Sequence, residues 1–261
     1  MNPMASQYEL MLAQYKSGAQ RARVFSESWV EANLNCPKCN HRLSRTRNNT
    51  MARDFTCESC RAGFELKSKK GLFGAIVPDG AYDSMVSSIR SDQRPHLLLL
   101  NYTQDYRVQS VAAVPRQFLV EEIVIPRRPL GAHCRRAGWR GCNLNIGMLP
   151  PDGRVCCVTD FKAEPTERVR AAWTRSEFLD EYRSSQRGWI TLTMSLVRRI
   201  GTETFSLRDV YALESEAQLA FPDNLHVREK LRQQLQVLRD KGWLEFLSRG
   251  TYRLTHGVPP Q

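Results

Sequence analysis

Residues 53–67 read Arg-Asp-Phe-Thr-Cys-Glu-Ser-Cys-Arg-Ala-Gly-Phe-Glu-Leu-Lys, and two patterns are threaded through them. One is Asp54-x10-Glu65-Leu66-Lys67. The other is Cys57-Glu58-Ser59-Cys60, whose mate Cys36-Pro37-Lys38-Cys39 lies upstream. Zinc takes four soft ligands in a tetrahedron, and Cys-x-x-Cys lets one tight turn supply two of them. Cys36, Cys39, Cys57 and Cys60 are therefore expected to hold a structural zinc ion. Disulfides are the alternative, but the N-terminal MNPMASQYEL has neither a basic start nor an apolar core, so a reducing, cytoplasmic setting is expected. Four thiolates would leave no open position for catalysis. Cys134, Cys142, Cys156 and Cys157 lack the spacing, and the last two, in an apolar run, read as core residues.

The acidic pattern points to a second metal. On a strand Glu65 and Lys67 share one face, while Phe64 and Leu66 point into a core. A hairpin would bring Asp54 beside Glu65. Two carboxylates with a neighbouring lysine suit a hard, oxygen-ligated cation such as magnesium, which stabilises charge on a phosphate and lowers the pKa of a bound water. Asp54, Glu65 and Lys67 are thus the candidate catalytic set, with Asp54 and Glu65 as magnesium ligands. Alone, the pattern is weak and reads better as a surface strand with alternating charges. Its position against the cysteine pairs, which would fix the hairpin, favours the site.

The chain of 261 residues holds 38 Lys+Arg against 27 Asp+Glu, a net charge of +11, with a pI near 9.5 and mean hydropathy of -0.47. No apolar stretch is long enough to span a membrane. The excess charge suits a polyanion, most often nucleic acid.

Helices are expected over residues 4–17, over 26–33 with Ser26 as its cap, and near 81–91 after Asp79-Gly80. His96-Leu97-Leu98-Leu99-Leu100-Asn101-Tyr102 reads as a buried strand, with 107–115 as its hairpin partner. Ser68-Lys69-Lys70-Gly71 reads as a basic turn. The order predicts an α/β core with a mixed sheet. Residues 123–151 contain no acid but carry Arg127, Arg128, Arg135, Arg136 and Arg140, with Trp139 among them. Arginines hold phosphates or guanine edges, and tryptophan can stack on a base or wedge into a duplex. The alternative is a solvated loop with Trp139 folded inward.

The texture changes near residues 183–186, which divides the chain into 1–184 and 185–261. Helices are expected from 189 to 200, from a Ser206 cap through 216, and over 225–241. A β-hairpin turning at Arg249-Gly250 should follow. Three helices and a terminal hairpin read as a winged helix, with the third helix in the major groove and the wing on the backbone. Val227, Leu231, Leu235 and Leu238 form its buried stripe. Arg228, Arg232, Gln233, Gln234 and Arg249 are its candidate DNA contacts, with Lys69, Lys70, Arg135, Arg136 and Trp139 contributed by the first domain.

Phe-Glu-Leu-Lys followed by Ser-Lys-Lys-Gly, the two Cys-x-x-Cys pairs, Arg135-Arg-Ala-Gly-Trp-Arg-Gly-Cys-Asn143 and Lys230-Leu-Arg-Gln-Gln-Leu-Gln-Val-Leu-Arg-Asp-Lys241 together resemble the DpnI family of methyl-directed type II restriction endonucleases. The resemblance covers nearly the whole chain. It implies a PD-(D/E)xK nuclease core with an inserted zinc knot, followed by a winged helix, and magnesium-dependent cleavage of double-stranded GATC bearing N6-methyladenine. It makes Asp54, Glu65 and Lys67 catalytic, Cys36, Cys39, Cys57 and Cys60 zinc ligands, and Trp139 a sensor of methyl-adenine. Arg53 stands where a signature proline precedes the aspartate, and Asn40 stands where glycine usually follows Cys39.

One N6-methyl contributes only about 1 kcal/mol by apolar burial, so strong discrimination needs two checks. Two readers in one chain, acting as a monomer, meet that need. Two other classes remain: a non-catalytic zinc and winged-helix regulator, and a repair or transposition nuclease indifferent to methylation.

Overall fold

The computed structural model describes Tyr8 and residues 11–46 and 53–255. Its largest element is a mixed seven-stranded sheet. In spatial order the strands are β1 (Leu43–Arg45), β2 (Phe55–Cys57), β3 (Gly63–Lys70), β5 (His96–Tyr102), β6 (Val108–Val114), β9 (Val155–Thr159) and β10 (Lys162–Ala163). Only β3 and β5 run parallel. A parallel pair needs a crossover, and here residues 71–95 supply it.

All seven residues of β5 are buried, as a central strand with both faces covered requires. Leu98, Leu100 and Tyr102 enter one core with Phe25, Val30, Phe55, Phe64 and Trp173. Leu97 and Leu99 point the opposite way, and their partners in register are Glu65 and Lys67. Glu65 and Lys67 therefore stand on the face of β3 away from that core.

Helix α1 (Gly18–Asn33) begins earlier than its sequence signals suggest. Ser26 is not its cap. It is buried inside the helix, and its hydroxyl donates to the Ala22 carbonyl at 2.7 Å. This back-bonding satisfies a mid-helix serine without ending the helix. Of the helix expected over 4–17, Tyr8 and residues 11–13 are helical, and residues 1–7, 9 and 10 lie outside the described residues. Of the neighbouring cysteines expected in the core, Cys157 is buried but Cys156 is exposed, because successive residues of β9 face opposite sides.

The chain divides into two compact units. The first comprises residues 1–74, 94–116 and 154–174; the second comprises 75–93, 117–153 and 175–261. The second contains a three-stranded sheet of β4 (Ile76–Ala81), β8 (Gly141–Asn145) and β7 (Val124–Pro126), beside α2 (Tyr82–Arg90). It also contains α4 (Ser184–Ile200), α5 (Leu207–Tyr211), α6 (Glu214–Ala220) and α7 (Val227–Asp240), which follow α3 (Thr166–Thr174) of the first unit. A sheet of β11 (Thr204–Ser206), β13 (Thr251–Leu254) and β12 (Leu244–Ser248) completes it.

Local chemistry explains these C-terminal boundaries. Ser206 caps α5 reciprocally with Asp209, and Gly201 closes α4 with φ +78°. The helix expected from Ser206 through Glu216 breaks at residues 212–213 into two. Within this unit the Arg198 guanidinium forks onto Asp152 at 2.8 and 2.7 Å and lies 5.0 Å from the Trp243 ring centre. That buried pair joins the segment before β9 to the helical part of the same unit. Among the described residues, no helix is long and apolar enough to cross a membrane.

Candidate metal centre, acidic strand and basic loop

The four cysteines of the paired motif converge. Their sulfur atoms all lie within 4.8 Å of one another. Cys36 Sγ is 3.7 Å from Cys60 Sγ, and Cys39 Sγ is 3.4 Å from Cys57 Sγ. A disulfide needs about 2.05 Å. A tetrahedron with metal–sulfur bonds of 2.3 Å has edges of about 3.8 Å, so the cluster could hold a zinc ion. Each pair sits on its own tight turn. Cys36 O accepts from Asn40 N–H, and Cys57 O accepts from Arg61 N–H, at 2.8 and 3.2 Å. Asn40 and Arg61 close these turns at φ +63° and +61°, a region that asparagine enters at little cost. Burial pushes the Cys36 thiol pKa up. At Cys57 burial also acts upward, but hydrogen bonds from the Cys60 and Ser59 backbone bring the pKa down to about 7. A cation among the four would favour the thiolate throughout.

The knot holds β1 against β2, and β2 hands Asp54 to β3. Asp54 N–H donates to Phe64 O at 2.9 Å. The Asp54 carboxylate accepts from Leu66 N–H at 2.7 Å through Oδ2. Leu66 lies between Glu65 and Lys67 in the chain, so this bond fastens the aspartate to the strand that bears the other two groups. Lys67 Nζ is 2.6 Å from Glu65 Oε1, and Arg94 Nη2 pairs with Glu65 Oε2. Arg94 is 7% exposed, Glu65 12% and Lys67 21%, so the network becomes more accessible toward the lysine. The carboxylate oxygens of Asp54 and Glu65 are hard donors that could hold a divalent cation such as magnesium, while Lys67 and the Leu66 N–H are hydrogen-bond donors and not ligands. Arg94 carries no motif of its own. Its only sequence signal is a cation placed with Pro95 immediately before an all-buried strand.

Beneath β3, His96 packs between Phe64 and Trp173, at ring-centre distances of 5.2 and 4.7 Å. Its Nδ1 accepts from Arg116 N–H at 2.9 Å. Burial, aided by the charge of Arg116, lowers its pKa from 6.5 to about 3, so this histidine is neutral.

The candidate nucleic-acid contacts divide between the two units. Lys69 and Lys70 are exposed at the end of β3 in the first. They continue the strand, and the expected turn begins only at Gly71, with φ +75°. The hairpin loop 127–140 of the second unit joins β7 to β8. Arg135 and Arg136 are exposed on it and Trp139 is half-buried. The loop is closed by Leu130 N–H to Trp139 O and Gly138 N–H to Leu130 O, both 2.9 Å. The guanidinium carbons of Arg136 and Arg127 lie 4.6 and 5.7 Å from the Trp139 ring centre. Stacked cations keep one indole face within the loop instead of in a core.

On α7, Arg228, Arg232 and Gln233 are exposed, but Arg228 is already paired with Glu214 at 2.7 Å. Gln234 is 4% exposed on the inner side. It is withdrawn from the candidate base contacts, because it falls on the buried stripe with Leu231, Leu235 and Leu238. Arg249 is exposed at the hairpin turn, where Gly250 takes φ +76°.

Two family profiles match this chain. The profile of DpnI, the Dam-replacing family, covers residues 4–182. The chain belongs to that family. The profile of the Dam-replacing helix-turn-helix domain covers residues 185–254, so α4 to α7 and the terminal hairpin make up the helix-turn-helix part of this Dam-replacing family protein.

Proposed function

We propose that this protein is a restriction endonuclease that cleaves double-stranded DNA at sites carrying N6-methyladenine, with G-m6A-T-C as the target sequence. Its nuclease part spans residues 1–184 on a PD-(D/E)xK core, and a winged helix over residues 185–261 binds the duplex. Family membership supports the reading. The observation that carries it is the hydrogen bond from Leu66 N–H to Asp54, which fastens Asp54 to the strand that bears Glu65 and Lys67.

Asp54 and Glu65 would hold a magnesium ion, which supplies charge stabilisation at the scissile phosphate and a more acidic water. Glu65 keeps its carboxylate on the face of β3 that it shares with Lys67. Lys67, more exposed than Glu65, would reach the attacking water or the developing phosphate charge. Asp54, tied to the Leu66 backbone, would keep its direction when DNA arrives. The four thiolates would hold a structural zinc ion that keeps the β1–β2 hairpin folded. Arg135, Arg136 and Trp139 present cations and a π-face to the duplex, while Arg232, Gln233 and Arg249 approach it from the helix-turn-helix part. Trp139 is the proposed methyl sensor.

The test uses one plasmid prepared from adenine-methylating and non-methylating hosts, incubated with protein and magnesium. Discrete fragments from the methylated plasmid alone, at GATC spacing, are expected. Cleavage of both removes methyl dependence. Binding without cleavage of either removes the enzyme and leaves a DNA-binding regulator.

A further inference from the structure

We infer that Arg94 is a positioning residue that restrains the metal affinity of Glu65, so that cation loading depends on bound DNA. The inference rests on the nuclease reading above and concerns a group outside its Asp-Glu-Lys set.

Both oxygens of Glu65 are engaged. Oε1 faces Lys67 Nζ at 2.6 Å, and Oε2 faces the Arg94 guanidinium. A divalent cation that uses Glu65 must displace one of these charges. Lys67 is the more exposed and hangs on a flexible four-carbon stem. Arg94 is nearly buried and is followed by Pro95, whose ring fixes the backbone leading into β5. Lys67 therefore yields Oε1, and Arg94 keeps Oε2. Glu65 then serves as a one-oxygen ligand of fixed direction.

Charge sets the consequence. A guanidinium on the far oxygen withdraws part of the negative charge that a cation would otherwise feel, and it adds direct repulsion across a few ångströms of poorly solvated space. Ion binding is then weak until the phosphate of DNA adds its own negative charge and oxygens. Arginine thus costs metal affinity in the free protein and contributes alignment in the complex. A residue that only kept Glu65 folded in place would do otherwise, because its loss would weaken ion binding and turnover together.

The experiment compares wild type, Arg94→Gln, Arg94→Lys and Asp54→Asn in the full-length protein. Binding of a methylated duplex is titrated with calcium ion, and single-turnover cleavage is measured separately at saturating magnesium. For Arg94→Gln the half-saturating calcium concentration is expected to fall by about tenfold, as loss of a nearby positive charge requires. Its cleavage rate should fall by about tenfold or more as the carboxylate loses direction. Arg94→Lys retains the charge, so its calcium midpoint should stay within about twofold of wild type while cleavage is partly lost. Should Arg94→Gln fail to fold, the lysine variant alone decides, since a raised calcium midpoint there overturns the inference. A midpoint in Arg94→Gln that is unchanged or higher, alongside slower cleavage, also overturns it and leaves the nuclease reading standing. Wild type that neither cleaves nor shows a calcium dependence sensitive to Asp54→Asn removes both.

Discussion

Under the proposed function, the acidic strand and the arginine-tryptophan loop would meet opposite physical demands. Around Glu65 the charges are held by specific partners: Leu66 N–H fastens Asp54 beside β2, Lys67 pairs with Glu65 along β3, and Arg94 reaches Glu65 from the segment before β5. In the loop, Arg135 and Arg136 are exposed on a closed hairpin, with Trp139 held by stacked guanidinium groups. Phosphoryl transfer requires donors fixed to fractions of an ångström. Attraction to a polyanion requires only that cations be present and free to adjust. A few buried charges with many partners therefore mark one region, and many exposed charges with few partners mark the other.

The comparison breaks most severely if the four-cysteine cluster is disrupted. Cys57→Ser, or prolonged exposure to a strong zinc chelator, is expected to abolish cleavage and unfold the first unit. Zinc content by elemental analysis and circular dichroism would check this, because metal binding and folding are one equilibrium in such knots. A folded, zinc-free protein with full activity would show that the thiols are ornamental.

Next in size is the acidic strand itself. Glu65→Gln and Asp54→Asn should each lower single-turnover cleavage by more than about a thousandfold. Their DNA affinity should remain within a few-fold of wild type. Equal losses of binding and cleavage would mean that β3 is a contact surface like the loop.

Acid should then separate the two units. His96 has its folded pKa depressed to about 3, so the unfolded chain binds its proton first. Its contribution is complete above pH 6.5 and is lost as pH falls from 6.5 toward 3, at up to about 1.4 kcal/mol per pH unit. Glu122 in the second unit behaves in the reverse sense. Burial raises its carboxyl pKa, aided by the charge of Glu121, so the folded state binds its proton first and gains stability as pH falls toward the ordinary carboxylate range. Hydrogen exchange between pH 7 and 5 should show protection falling in β5 and β6 while α4 keeps or gains it. His96→Gln should flatten the first response.

The smallest effect belongs to the loop. Trp139→Ala is expected to reduce the preference for methylated over unmethylated duplex by about tenfold, the scale of one apolar or cation–π contact. Arg135→Ala and Arg136→Ala should each lower the salt slope of binding by about 1, with preference unchanged. Cleavage of pre-bound DNA that falls as far in these variants as in Glu65→Gln would erase the distinction.

Legibility in the sequence follows the same division. The cysteine pairs were readable because each ligand pair is made within four residues, so spacing alone carries the geometry. His96 to Tyr102 was readable because a central strand must be apolar on both faces. The limits of α1 were not, because Ser26 satisfies its hydroxyl inside a helix as well as at a cap. Gln234 reads as one more polar residue on a basic helix, and only the packing of α7 puts it inside.

The sequence by itself determined the pairing of the four cysteines, the alternation that sends Glu65 and Lys67 to one face, the basic excess, and the Ser206 cap of α5. These rest on contacts between near neighbours or on composition, which the chain order states directly. Tertiary structure alone decided that Asp54 bonds to Leu66, that Arg94 closes on Glu65 across 29 residues, and that loop 127–140 belongs to the same compact unit as residues 175–261. Pairings of that kind depend on which strands lie side by side, and strand order is set by the burial of the whole core, which no single segment encodes.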